Sequence, residues 1–308
     1  MKWPRWQERK DALSAALLDH SANVRHLPGV ANPVARDTLA MQIVASLRRD
    51  DYFRSIQHRG PIAPERADPH SDKFEAELGV VYLLQNGAHD EAAWLIFLMV
   101  YLAKPADSGW RRLRDIYGKL GKGRWDWAAV AANPDAFGAW LAEHWQEIGG
   151  KFGNHRKYES IKPDARRPMG AAIAQYVRWV LDGGGHRRLF ADIIREAGND
   201  PNSIFDAFYH ALPIKGFGRL GRFDWVAMLS RYRLIHAEAG SAYLKTATGP
   251  RSGLQLLFLG NPETKTDPDI LQGWLDDLDS DLGVGMEVLE DSICNWQKKP
   301  TEFEHFKG

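Results

Sequence analysis

Residues 92–103 read AAWLIFLMVYLA, the longest apolar run in a chain of 308 residues. A bilayer-crossing helix needs about 20 such residues, so this run is too short to span a membrane. It predicts a helix enclosed by protein on all sides, the centre of a substantial core. A chain that buries such a segment is globular, and its 44% hydrophobic and 26% charged residues place it far from disorder.

Outward from that run the patterning is helical. Residues 35–49 carry Leu39, Ile43 and Leu47 on one stripe, with Asn32-Pro33 as the entry. Further helices are expected over 74–85, 91–103, 134–147, 169–181, 186–197, 203–212, 222–236 and 267–280. The run LQLLFL at 254–259 suits a strand or a helix equally. Breaker clusters at 60–69, 105–109, 149–153, 183–185 and 246–253 read as turns between helices. The expectation is an all-α protein: an N-terminal extension over 1–24 and one helical domain over 25–308.

Cys294 is the only cysteine, which excludes an internal disulfide and a cysteine-based zinc cluster. The opening MKWPRWQERK lacks the apolar core of a signal peptide, so a cytoplasmic setting is expected. No HExxH or paired-histidine spacing and no EF-hand pattern occurs, so no metal site is expected.

Forty Lys+Arg balance forty Asp+Glu, which at first sight argues against a nucleic-acid partner. The balance is global and not local. Residues 151–190 hold nine basic and three acidic side chains, a net of +6. Residues 211–252 hold seven and two, a net of +5, whereas 261–291 hold one and ten, a net of −9. The basic blocks contain Phe152, Tyr158, Trp179, Phe217 and Trp225 and suit an anionic ligand with flat rings. A solvated surface balanced by the acidic segment explains the same counts.

Four stretches carry possible chemistry. KFGNHRKYES at 151–160 packs Asn154, His155, Arg156, Lys157, Tyr158 and Glu159 behind a glycine. Its cations suit phosphate, and His155 and Glu159 are proton-transfer groups; the competing reading is a surface patch at a helix start. LPIKGFGRLGRFD at 212–224 has a GxGxxG string at Gly216, Gly218 and Gly221. It follows a helix, not a strand, so a glycine hairpin gripping a DNA backbone is expected in place of a dinucleotide site, with Arg219 and Arg222 adding charge. Asp224 is expected in the first turn of the following helix, where the macrodipole alone would favour it. TATGPRSG at 246–253 is expected to be a tight loop, with Arg251 able to meet a phosphate. Gln42, Ser46 and Arg49 share a helix face, while Arg48-Arg49 before Asp50-Asp51 also reads as a salt-bridged helix end.

Taken in order, Gln42…Ser46…Arg48-Arg49, Glu91-Ala92-Ala93-Trp94-Leu95, Gly109-Trp110, FGNHRKYES at 152–160 and Thr248-Gly249-Pro250 resemble the alpha-glutamyl/putrescinyl thymine pyrophosphorylase family, also described as amino acid:DNA transferases. The likeness covers residues 25–308, and FGNHRKYES is its most specific piece. It implies an all-helical fold related to the helix-hairpin-helix DNA glycosylases and a role in bacteriophage thymine hypermodification. The substrate would be double-stranded DNA whose thymine 5-methyl carbon carries a pyrophosphate. An amine from glycine, glutamate or putrescine would replace that pyrophosphate, with the base flipped from the duplex.

Under that resemblance Gln42, Arg48, Arg49, Asn154, Arg156, Lys157, Gly216, Gly218, Arg219, Arg222 and Arg251 would hold pyrophosphate and DNA. Tyr158, Trp179 and Trp225 would stack on the base, and Glu159, then His155, then Asp224, would take the amine proton. No cofactor is expected except Mg2+ accompanying pyrophosphate. The glycosylase aspartate is not carried over, because Asp224 follows the hairpin too closely and Glu238 lies nearer the expected place. Two alternatives are a base-excision glycosylase or lyase on the same fold and a non-catalytic DNA-binding protein.

Overall fold

The structure, a computed structural model, describes residues 3–156 and 159–305, with His155 described by its backbone alone. Among these residues there are fourteen α-helices and no β-strand. In chain order they are α1 (Gln7–Asn23), α2 (Pro33–Gln57), α3 (Ala76–Gln85), α4 (His89–Leu102), α5 (Arg111–Tyr117), α6 (Trp127–Ala132) and α7 (Pro134–His144). There follow α8 (Met169–Asp182), α9 (His186–Ala197), α10 (Pro201–Ala211), α11 (Arg219–Arg231), α12 (Gly249–Leu259), α13 (Pro268–Leu282) and α14 (Met286–Trp296). The expected all-α class holds. None of these helices is long and apolar enough to cross a membrane.

The described residues group into two compact units, 3–52 with 239–305, and 53–238. In the first, α13 packs on α1, and α12 on α14. Leu271, Leu275, Leu278 and Leu282 form the buried stripe of α13. Asp276, Asp277, Asp279 and Asp281 lie off that stripe, so this part of the −9 block is the solvated side of an amphipathic helix, whereas Glu290 on α14 is buried. Trp296 is fully buried and donates its indole N–H to the Ala35 carbonyl at 3.0 Å.

In the second unit α4 is the hub, packed by α3, α5, α6, α9 and α11. Every residue from Ala92 to Leu102 is buried, as the apolar run predicts. Each large side chain there contributes roughly 1.5–3 kcal/mol through burial. Trp94 satisfies its indole N–H on the Trp125 carbonyl at 2.8 Å. Glu91, near the start of α4, accepts from the Tyr117 hydroxyl and from the Trp127 N–H at 2.6 Å. Burial raises its pKa, so this acid serves as a packed anchor for the α5 and α6 segments.

Two expectations need correction. TATGPRSG is not a loop throughout: Gly249-Pro250 open α12, which takes in the ambiguous LQLLFL run as helix. Proline fits there because a first-turn N–H has no helical partner. Second, α11 begins at Arg219, so Asp224 lies beyond the first turn and Gly221 is helical, not part of the hairpin. Within the stretch expected as an N-terminal extension, Gln7–Asn23 form α1, with Leu13, Leu17 and His20 buried.

Candidate active site

The polar loop after α7 is hung on the end of α4. The Gly153 N–H donates to the Leu102 carbonyl at 2.9 Å. A Cβ on Gly153 would lie 2.5 Å from that of Ala103, so only glycine allows this approach. Ala103 leaves α4 with φ of +50°, an uncommon conformation for a residue with a side chain.

From this anchor Arg156 turns inward. Its side chain is 6% exposed; Nε donates to the Val100 carbonyl at 3.0 Å and Nη2 to Asp224 Oδ2 at 3.1 Å. Its guanidinium lies 5.3 Å from the centre of the Phe217 ring, which stacks on Tyr101 at 5.8 Å and 4°. The Tyr101 hydroxyl donates to Glu159 Oε2 at 3.2 Å. Burial first, and then the Glu159 carboxylate, push the Tyr101 phenol well above its usual range, so it stays a donor. Two carboxylates, Glu159 and Asp224, are thereby fixed around one aromatic pair by a phenol and a guanidinium.

The glycine hairpin forms the next wall. Gly216 adopts φ of +88°, and Arg167 donates to its carbonyl at 3.2 Å. Lys215 N–H donates to Gln175 Oε1 at 2.8 Å, tying the hairpin to α8. Gly218 is the N-cap of α11 and supplies no side-chain cap, in contrast to Asp126, Asn133 and Asp200 at the starts of α6, α7 and α10. The first-turn N–H groups of α11 carry the positive end of the helix dipole and suit an anion. Arg219 lies over Phe223 and Arg222 over Tyr209.

Of the residues singled out from sequence, the second unit thus gathers Arg156, Glu159, Gly216, Gly218 and Asp224, with Asn154 exposed on the same loop. Lys157, Tyr158 and the His155 side chain lie outside the described residues. Trp179 is half-buried, edge-on to Trp225 at 5.9 Å. Trp225 is fully buried among Tyr176, Phe190 and Phe208, leaving no ring face for a base. Glu238 is exposed, and its main chain is tied to Pro201 and Asn202.

The remaining four belong to the first unit, each with a partner there. Gln42 is buried and donates to the Glu304 carbonyl at 3.0 Å. Arg48 stacks over Trp3 at 4.0 Å. Arg49 donates to Ser46 at 3.2 Å and pairs with Asp291, so the conspicuous Gln/Ser/Arg face points into contacts within the unit. Arg251 donates to the Thr266 carbonyl at 2.9 Å.

Sequence reasoning missed a second polar cluster. Glu77 accepts from the Trp110 indole at 2.6 Å and from Lys104 at 2.9 Å; Lys104 also reaches Glu75 at 2.8 Å. Burial, then neighbouring Glu75, raises Glu77 to about 7. Burial opposes the charge on Lys104, but Glu77 and Glu75 outweigh it and hold the ammonium charged. Gly109-Trp110 was the sequence signal nearest this cluster, and the spacing of Glu75 and Glu77 at the start of the expected 74–85 helix does not single them out. Tyr101 was hidden as the one hydroxyl within the apolar run. Among the described residues no group of three or more His, Cys, Asp or Glu side chains is placed to hold a metal ion.

No curated protein and no solved structure matches the chain. A family model, described as alpha-glutamyl/putrescinyl thymine pyrophosphorylase clade 3, matches residues 34–308. That span takes in both carboxylates, the anchoring Gly153 and the hairpin, and it covers most of the sequence. The chain belongs to the alpha-glutamyl/putrescinyl thymine pyrophosphorylase family.

Proposed function

We propose that the protein transfers an amine onto a thymine-derived base in DNA whose 5-methylene carbon carries pyrophosphate. The amine nitrogen forms a bond to that carbon, the carbon–oxygen bond breaks, and pyrophosphate leaves. The ammonium must first surrender a proton, and the leaving group must have its growing charge neutralised. The observation that carries this reading is the pair of carboxylates, Glu159 and Asp224, held beside an uncapped helix start.

Glu159 takes the amine proton, and the Tyr101 hydrogen bond fixes its orientation. Arg156 acts through Asp224: its guanidinium is already committed to Val100 and Asp224, so it positions the carboxylate and leaves phosphate to others. Arg167, Arg219 and Arg222, with the first-turn N–H groups of α11, supply positive potential for the phosphates. The glycine hairpin leading into α11 supports kinship with helix-hairpin-helix DNA-binding elements. Double-stranded DNA would present the base by flipping, at a cost of a few kcal/mol. Half-buried Trp179 remains as a stacking surface. The setting is the cytoplasm of a phage-infected cell.

The test is incubation with DNA containing 5-pyrophosphoryloxymethyl-uracil and glycine, glutamate or putrescine, followed by nucleoside mass spectrometry. The expected product is an aminated base with release of pyrophosphate. Abasic sites formed without any amine would instead establish a base-excision enzyme. DNA binding with no product from any amine would leave a binding protein.

A further inference from the structure

Apart from the two carboxylates, the second unit contains a cleft of about 730 Å³ beside Trp110, within the range of small-molecule sites. Phe74, Trp110 and Leu120 give it apolar surface. Trp110 is fixed from two directions, its N–H on Glu77 and the Lys104 ammonium 5.4 Å from its ring centre. Lys119 and Leu120 both adopt left-handed backbone, at φ of +48° and +53°. Two such residues in succession strain the backbone, and strain of this kind recurs where a fold shapes a ligand clamp.

The polar groups of the cleft are of both signs. Arg111 and Asp115 stand four residues apart on one side of α5, yet no ion pair joins them. The Arg111 side chain is exposed and makes no hydrogen bond or ion pair among the described residues, its main-chain N–H donating to the Ser108 carbonyl at 3.1 Å. Asp115 uses Oδ2 to accept the Gly149 N–H at 2.8 Å, which leaves Oδ1 for a ligand. The Ser108 hydroxyl is buried at the wall, with the neighbouring Asp107 carboxylate to interact with.

We propose that this cleft is a holding site for a free α-amino acid, the amine donor of the transfer reaction, with Arg111 on its carboxylate and Asp115 on its ammonium until the amine is released to Glu159. The assignment rests on the proposed function. Guanidinium and carboxylate form a strong, oriented pair, and the apolar walls accept a side chain. A diamine such as putrescine would need a second acid, whereas Asp115 is the one carboxylate lining the cleft among the described residues and Arg114 beside it is spent on the Pro69 carbonyl and Asp72. The cleft is built into the active loop: Arg112, next on α5, donates to the Gly149 and Gly150 carbonyls at 3.2 and 2.5 Å and lies over Phe152.

Calorimetric titration of the full chain without DNA, using L-glutamate, glycine, putrescine and inorganic pyrophosphate in turn, tests this. Saturable binding of the amino acids is expected, with none of putrescine at the same concentrations. Arg111→Met should weaken amino-acid binding at least tenfold with an unchanged melting temperature, and Asp115→Asn should weaken it as well. Binding of putrescine or pyrophosphate in place of the amino acids, or no effect of Arg111→Met, would overturn the proposal. Amino-acid binding without transfer to modified DNA would sink the transferase reading and leave the cleft assignment standing. Transfer with an amine KM unaltered in Arg111→Met would do the reverse.

Discussion

Arg156 reaches Asp224 across 3.1 Å, and this one bond joins the polar loop after α7 to the second turn of α11. The arginine is almost wholly buried, whereas the aspartate keeps 35% of its side chain exposed. The partner facing solvent is therefore the one free to meet a substrate, and the buried partner sets its direction.

Arg156→Gln should lose about 2–3 kcal/mol of stability in denaturant unfolding, because it removes the bond to Val100 as well as the ion pair. Asp224→Asn keeps the shape and should cost less than about 1 kcal/mol, discounted for solvent exposure. Its amine-transfer rate should nonetheless drop substantially. Equal stability losses in the two variants would contradict this division of roles.

Glu159→Gln should reduce transfer by about 100- to 10,000-fold, the usual loss on removing a general base. Tyr101→Phe removes only the hydrogen bond that orients it, and about a tenfold loss is expected. In the double variant the tyrosine change should have almost no further effect. Single-turnover rates on modified DNA measure all three, and additive losses would mean that the two residues act separately.

Glycine substitutions separate anchor from hairpin. Gly153→Ala places a Cβ 2.5 Å from that of Ala103 and should lower stability by about 1–3 kcal/mol. At Gly218 a Cβ meets nothing within 4 Å, and its φ is −72°, so Gly218→Ala should melt close to the parent protein. Thermal denaturation of the two variants side by side decides the matter.

Two buried groups should give the stability opposing pH dependences. His186 is fully enclosed, with Nδ1 on Asp90 and Nε2 on the Tyr176 hydroxyl, and burial lowers its pKa despite Asp90. Its unfolded form takes up a proton near pH 6.5 before the folded form does, so acid below that value destabilises the fold. Glu77 is the reverse: folded, it keeps its proton up to about pH 7, while unfolded it releases it near 4.5. Its contribution is full below 4.5 and is lost as pH rises toward 7. Unfolding free energies of the parent and Glu77→Gln should diverge between pH 5 and 7, with the parent losing on the order of 1–3 kcal/mol relative to the variant.

Sequence pattern is readable where apolar periodicity and glycine punctuation coincide. The α9 boundaries match expectation because Gly185 and Gly198 flank it, both at positive φ. The α1 helix escaped notice because it buries only Leu13, Leu17 and His20 among mostly polar neighbours. In α12 the Gly-Pro pair read as a breaker, although proline in a first turn starts a helix as readily as it ends one. At the site, spacing along the chain marked the polar loop and the hairpin separately. It gave no sign that Arg156, a cation of the expected phosphate set, would be spent on Val100 and Asp224. Nor did it show that Arg49 would be matched by Asp291, 242 residues away.

The hold of Gly153 on the end of α4 uses only main-chain atoms of the loop. Attachment at that point therefore asks nothing of the neighbouring side chains. A loop fastened this way is precise at its root: the mooring admits a single residue type, so the direction in which the chain leaves it is set by backbone alone.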